Sequence, residues 1–359
     1  MKTIFDSVIF MLQKRGGASN YWLEFFDRFV KNNDVQIITS KEDNYLNKDF
    51  LTFVKNNTPS VIPEKKHSGS LLRVINPHKL KKVEEPVIFH STVYRWMKGK
   101  NVKNIVTIHD FTHQKYMSGY HKFLNSILKK RSIKHADGIV CISNNTYKDL
   151  LEFYPKLKNK KVKIIYNGFN RNIFYHMNKV TLPEKYKCLS EKKFLLYVGQ
   201  RDGYKNFSFM IDVLSKTDDL YLALVGGNDF EIDNEAISNK IFHFNNVDDS
   251  DLNILYNASY CFIYPSLYEG FGIPICEAMN CGCPVIAFNN SSIPEVMNNA
   301  GILLNNNDLD GVLEQLKKLE DQKYRDKIIE KQYNACDKFS WDKAYNEMLD
   351  FYKEVLEDD

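Results

Sequence analysis

Between Tyr260 and Phe288 the sequence sets two carboxylates, Glu269 and Glu277, around the loop Glu269-Gly270-Phe271-Gly272. The loop follows a short apolar run, Tyr260 to Tyr264, that reads as a buried strand, and it feeds a helix expected from about Ile273 to Cys281. Pro274 falls in the first turn, where a missing N–H costs nothing, while Gly282 and Pro284 stop the helix before a second buried strand, Val285 to Phe288. A glycine-containing loop at a helix start aims unpaired backbone N–H groups outward, with the helix dipole behind them. The backbone of Gly270, Phe271, Gly272 and Ile273 therefore suits a phosphate. Carboxylates repel phosphate, so the partners of Glu269 and Glu277 are expected to be hydroxyls, which donate to ionised acceptors. A phosphate lying between two sets of hydroxyls describes a sugar nucleotide.

A second cluster follows the apolar run Phe194 to Val198: Gly199-Gln200-Arg201-Asp202-Gly203-Tyr204-Lys205-Asn206. Arg201 and Lys205 at a strand end can converge on one diphosphate, the arginine as a fork and the lysine as a point charge. Breaking a sugar–phosphate bond leaves charge on the departing diphosphate, and fixed cations stabilise it as it forms. Two Asp-x-Asp strings, Asp249-Ser250-Asp251 and Asp308-Leu309-Asp310, offer the alternative of a bound metal. Both sit in polar stretches that read as helix starts, so no metal and no other cofactor is expected.

The run YPSLYEGFGIPICEAMNCGCPVIA with SSIPEV behind it closely resembles the donor-site signature of retaining glycosyltransferases of family 4. That resemblance implies an α/β chain with the GT-B fold, two Rossmann-like doubly wound domains facing a cleft. It implies that Glu269 holds sugar hydroxyls, that Glu277 holds the nucleotide ribose, and that the basic pair with the helix start replaces a metal. Retention would proceed by return on the same face, the departing phosphate oxygen taking the acceptor's proton. In the commoner pattern arginine directly follows the glycine; here Gln200 does, so the alignment rests on Lys205 and assigns Arg201 the arginine's role. The string Arg-x-x-Tyr-Lys-Asn resembles mannosyl-type enzymes that use a GDP-sugar, with UDP-sugars next, and the acceptor would be a glycan or a lipid-linked sugar. Base contacts are placed near Phe244 to Val247. An epimerase or phosphorylase of the same architecture, or an idle binding module, are the other readings. A phosphorylase would need a cofactor lysine motif absent here, and a module would have lost the charged residues.

The elements that must carry these groups alternate as in doubly wound sheets. In the first half the expected strands are Ile4–Met11, Val35–Ile38, Val87–His90, Ile105–His109, Gly138–Ile142 and Lys163–Tyr166. Amphipathic helices are expected over Asn20 to Val30 and Lys122 to Ala136, and Asn56 to Lys82 reads as a mobile excursion. Gly16-Gly17 lies where such folds bring backbone close to a ligand, or simply makes a tight turn; the resemblance places it near the donor phosphate or the acceptor. His109-Asp110 sits at the end of a strand, where open α/β sheets keep their ligands, and the resemblance has His109 reach the donor sugar. His90, also at a strand end, reads first as packing.

The strings ADGIVCISNNTYKDL and KIIYNGFNRNIF resemble the elements closing the family's first domain. Domain limits are thus set at 1–170, joined by a C-terminal helix 340–359 crossing back, and 171–339. Strands in the second domain are expected at Phe194–Val198, Tyr221–Val225, Ile241–Phe244, Tyr260–Tyr264 and Val285–Phe288, with helices at Ser208–Ser215 and Asp251–Ala258.

With 359 residues, two domains are the prior. No apolar run approaches the roughly 18 residues of a membrane span, and Asp6 interrupts the N-terminal apolar stretch, which reads as a strand and no signal peptide. Seven scattered cysteines without a Cys-x-x-Cys pair read as buried thiols of a cytoplasmic protein. Residues 1–178 hold 31 Lys+Arg against 14 Asp+Glu, net +17, and the remainder 18 against 31, net −13. This asymmetry is either solvated surface or a basic half that meets an anionic membrane face; no nucleic-acid partner is expected.

Overall fold

The computed structural model describes residues 1–64, 67–77, 85–157, 160–201, 203–227, 232 and 234–357. It divides into two compact units, Met1–Asn167 with Trp341–Asp359, and Gly168–Ser340.

The first unit holds seven parallel strands, β1 Lys2–Asp6, β2 Asp34–Thr39, β3 Ser60–Pro63, β4 Val87–Ser91, β5 Val102–Ile108, β6 Gly138–Cys141 and β7 Lys161–Ile164, in the order β3-β2-β1-β4-β5-β6-β7. The second holds six, β8 Lys193–Val198, β9 Leu220–Val225, β10 Ile241–Phe244, β11 Cys261–Tyr264, β12 Val285–Phe288 and β13 Ile302–Leu304, in the order β10-β9-β8-β11-β12-β13. Both sheets wind outward from the first strand and then reverse, so each has a topological switch point: β1/β4 and β8/β11. Strands such as VIFHS and VIAF are buried along their whole length because helices cover both faces, as parallel sheets require. In the second unit Leu195, Leu222, Ile263, Ile286, Val213 and Leu316 share one core.

Three helices matter in the first unit. Helix α1, Gly17–Asn32, buries Tyr21, Trp22, Phe25, Phe26 and Phe29, a stripe at helical spacing against β1. Helix α2, Gly119–His135, follows β5. The C-terminal helix, Trp341–Leu356, belongs to this unit and packs on α1, burying Trp341, Tyr345, Met348, Phe351, Tyr352 and Val355. Arg28 pairs with Asp342 at 2.7 Å, and Gly138 is small because a Cβ there would meet Phe351 and Val355 at 2.9 Å. His90 is fully buried in this seam, with Nδ1 2.5 Å from the Tyr352 hydroxyl and Nε2 2.9 Å from Thr107 Oγ1. Burial holds its imidazole well below the ordinary range, the nearby His109 adding to the effect. It is a packing residue.

Two expectations need correction. The first strand ends at Asp6, and Ile9–Leu12 is a helical turn. The cause is the Asp6 carboxylate, which accepts from the N–H of Val8 and Thr92 and from the Ser91 hydroxyl, while the Ser7 hydroxyl donates to Ile38 O; together they bend the chain although Val8 to Met11 stay buried. Within the supposed excursion, Ser60–Pro63 is an edge strand in register with Gln36–Thr39, its proline at the last position, where an edge strand tolerates a missing donor. A turn of helix follows at Gly69–Leu72, capped by Ser68. Among the cysteines, Cys188 is exposed and the other six are buried. No helix among the described residues is long and apolar enough to cross a membrane.

Candidate functional site

In the second unit the site is built at the carboxyl ends of β8, β9 and β11. Lys205, just past β8, extends to Glu269, just past β11, with Nζ 2.6 Å from Oε1, so this ion pair spans the switch point. Both side chains retain some exposure, 19% and 11%. Tyr264 lies beneath them, its ring 5.8 Å from Lys205 Nζ, and burial followed by the Glu269 carboxylate pushes its phenol well above the usual range.

The loop that carries Glu269 is fixed from β12. The Glu269 N–H donates to Ser291 Oγ at 2.9 Å, and the buried Ser292 hydroxyl donates to the carbonyls of Glu269 at 3.0 Å and Phe271 at 2.8 Å. The chain then turns through Gly272 at φ +105°, a left-handed conformation where only glycine is unstrained, into helix α3, Ile273–Asn280. No side chain caps that helix. The Phe271 ring is buried edge-on against Phe339, so what this residue can offer a ligand is its backbone. Glu277 stands one turn into α3 and accepts from the Tyr256 hydroxyl at 3.2 Å.

The two cations hold different partners. Arg201 turns toward β9 and β10: Nη1 donates to Gly226 O at 2.7 Å and Nη2 lies 3.1 Å from His243 Nε2. Gly199, at φ +132°, starts this turn, and Gly227 leaves room for the guanidinium, since a Cβ there would lie 2.1 Å from Arg201 Nη1. Gly226, Gly227, His243, Ser291 and Ser292 carry roles that sequence reasoning missed. For the glycines the signal existed, because LYLALVGG repeats the strand-then-glycine pattern that exposed Gly199.

The Asp-x-Asp strings serve structure. Asp248 caps the helix Asp249–Ala258, Asp251 pairs with Lys185 and Tyr186, and Asp308 caps Leu309–Lys318. Among the described residues no group of three or more His, Cys, Asp or Glu is placed to hold a metal ion.

In the first unit His109 is the residue following β5. Its ring sits edge-on to Tyr21 at 4.8 Å, and Nε2 is buried with no hydrogen-bond partner among the described residues. Burial pushes its pKa down to about 4, Asp110 opposing and Lys129 assisting, so the imidazole is neutral at pH 7. Lys129 of α2 is itself buried; it donates to Asp110 O at 2.6 Å and to Gln114 Oε1 at 3.1 Å, and burial pushes it down to about 8. Gly16 caps α1 in an extended conformation open to any residue, and its Cβ position is crowded by Gln13 Oε1 at 2.9 Å. Gly17 faces open space.

Two parallel sheets with charged loops at their switch points define a GT-B glycosyltransferase architecture, and the family comparison agrees. A model described as "Glycosyltransferase Family 4" matches residues 15–172 and one described as "Glycosyl transferases group 1" matches residues 178–335. The chain belongs to this glycosyltransferase family. It is 41% identical over 108 residues to O-antigen chain mannosyltransferase B of Escherichia coli, which is 30% of this chain and 28% of that protein. It is 27% identical over 212 residues to O-antigen chain mannosyltransferase RfbU of Salmonella typhimurium, 56% of this chain and 57% of that protein. The chain thus matches between about a quarter and just over half of the length of these relatives. Among solved structures, Anabaena HepE in complex with UDP and glucose superposes with a TM-score of 0.72 over 99% of this chain and 100% of that one, at 15% identity, a likeness of fold alone.

Proposed function

We propose that this protein is a retaining, metal-independent hexosyltransferase that moves a sugar from a nucleotide diphosphate, GDP-mannose before UDP-sugars, onto a glycan or lipid-linked acceptor in surface polysaccharide assembly. The observation that carries the reading is the Lys205–Glu269 pair across the β8/β11 switch point. A partly exposed ion pair can be opened by a ligand that offers each partner something better. A diphosphate gives Lys205 a stronger anion, and sugar hydroxyls give Glu269 donors. The uncapped start of α3 at Gly272 then faces the phosphate, with Arg201 and Gly199 at its flank and Glu277 on the ribose.

In the reaction the C1–O bond to the phosphate breaks and a C1–O bond to the acceptor forms on the same face. The acceptor's proton passes to the departing phosphate oxygen. Lys205, Arg201 and the backbone at Gly270 to Ile273 stabilise the charge left on the diphosphate, a role that elsewhere falls to a metal. Glu269, tied to Lys205, acts as a hydroxyl acceptor, and His109 offers a neutral imidazole to the donor sugar. The mannosyl preference is supported by the Arg-x-x-Tyr-Lys-Asn string and by the relatives' names.

The test is release of free nucleotide from GDP-mannose and a panel of UDP-sugars, with and without acceptor and with EDTA. Acceptor-dependent release that survives EDTA supports the reading; loss of activity with EDTA overturns metal independence, and epimerised sugar nucleotide without release overturns transfer.

A further inference from the structure

Helix α2 buries Leu128 and Ile133 yet turns a second apolar stripe outward. Tyr120 is 71% exposed and Phe123 64%, Ile127 is exposed as well, and their spacing of three and four puts them in one stripe. Tyr116 and Met117, just before the helix, are exposed too. The same stripe continues into Lys130 and Lys134, with Lys122 and Arg131 beside it, all exposed, and α2 contains no Asp or Glu. Meanwhile the polar Asn125, Lys129 and Ser132 are buried. A second apolar group lies alongside: Leu71, Val74 and Ile75 are exposed, and Arg73 between them donates to Asn125 on α2. Because α2 begins just after β5, this apolar tip lies at the same sheet edge as His109.

We propose that this tip, centred on Tyr120 and Phe123, inserts into the headgroup region of an anionic membrane leaflet while the lysines and arginine of α2 meet the phosphates. Aromatic and aliphatic residues beside an all-cationic rim are the composition that lies in a bilayer interface. A second copy of the chain fits poorly, since a two-fold contact would set like charges against each other. The cations near Lys65, Lys66, Lys81 and Lys82, to which charge alone points, lie outside the described residues. For its purpose the proposal rests on the glycosyltransferase reading: a lipid-linked acceptor would be met at the leaflet beside His109. The binding itself does not depend on that reading.

The test uses the full chain with phosphatidylcholine vesicles, with and without phosphatidylglycerol, at low salt and at 1 M. Binding is expected to be strongest with phosphatidylglycerol at low salt and to fall at 1 M salt, where screening shortens to about 3 Å, to the weaker level that insertion alone gives with neutral vesicles. Tyr120→Ser with Phe123→Ser should lower partitioning about tenfold or more, the effect of losing buried aromatic area. Lys130→Gln with Lys134→Gln should erase the preference for anionic lipid. Nucleotide release with a water-soluble acceptor should stay at wild-type levels in both variants, which also shows that they fold. Failure of the wild type to bind at low salt, unchanged binding by the serine variant, or a wild-type dimer that the serine variant dissociates would overturn the proposal. Stripe-dependent binding without nucleotide release from any donor would leave the surface standing and sink the enzymatic reading alone.

Discussion

The two switch points share a strand order and are filled in opposite ways. At β1/β4 the charges are sealed: Asp6 is fully buried, bonded to Ser91 and Thr92, and Arg95, also buried, lies 3.7 Å from Asp6 and forks onto Glu64. Ile9 N–H donates to Thr92 Oγ1, closing the loop above them. At β8/β11 the Lys205–Glu269 pair keeps contact with solvent and stands beside an uncapped helix start. A sealed pair is committed to the fold, because separating it strands a charge in a poor solvent. A pair that still meets solvent can be traded for a ligand's charges.

Arg95→Ala should break the first arrangement most severely. Asp6 and Glu64 would be left unpaired, so a loss of about 3–5 kcal/mol is expected in denaturant unfolding of the first unit. A loss under 1 kcal/mol would show that the seal is only geometric. Lys205→Ala should act mainly on catalysis: turnover falls about 10²-fold or more, magnesium does not restore it, and the loss of stability is smaller than for Arg95→Ala. Arg201→Ala should follow it in turnover.

The glutamates sharpen the picture within the second site. Glu277→Ala should weaken binding of the bare nucleotide diphosphate about tenfold, the scale of one charge-assisted bond, whereas Glu269→Ala should leave that affinity intact and damage transfer. Calorimetry with GDP and UDP separates them, and equal losses would defeat the division. The smallest effect is expected at His109. Its folded pKa of about 4 lies below the unfolded 6.5, so the unfolded chain binds the extra proton between those values. Its contribution is therefore full above pH 6.5 and is lost as pH falls toward 4. His109→Gln should flatten that part of the stability profile; an unchanged slope would refute the depressed pKa.

Much of the second sheet was legible because its strands are continuous apolar runs punctuated by glycine, so that Ser208–Ser215 and Val285–Phe288 were read to the residue. The three-residue strand β13 and the edge strand β3 were missed: one is too short to show a pattern, and the other alternates around two prolines. The charged types at the site could be read, but their pairing could not. Lys205 meets Glu269 from 64 residues away and Arg201 prefers a carbonyl at Gly226, choices made by the sheet order. Helix α2 shows the limit of periodicity. Its pattern reads as amphipathic, yet the aromatics that should face inward are exposed and a lysine is buried, because what α2 covers at Lys129 is the polar turn at Asp110 and Gln114.

The C-terminal helix has a further consequence in time. A ribosome makes β1 to β7 first, then the whole second unit, and only then Trp341 to Leu356, which cover Tyr21, Phe25, Phe29 and His90. The sheet that is synthesised first is thus the one completed last. Until then it carries an open aromatic face, the kind of transient surface on which nascent chains aggregate or recruit chaperones. A stall or nick before residue 341 would leave a finished second unit tethered to an unfinished first one.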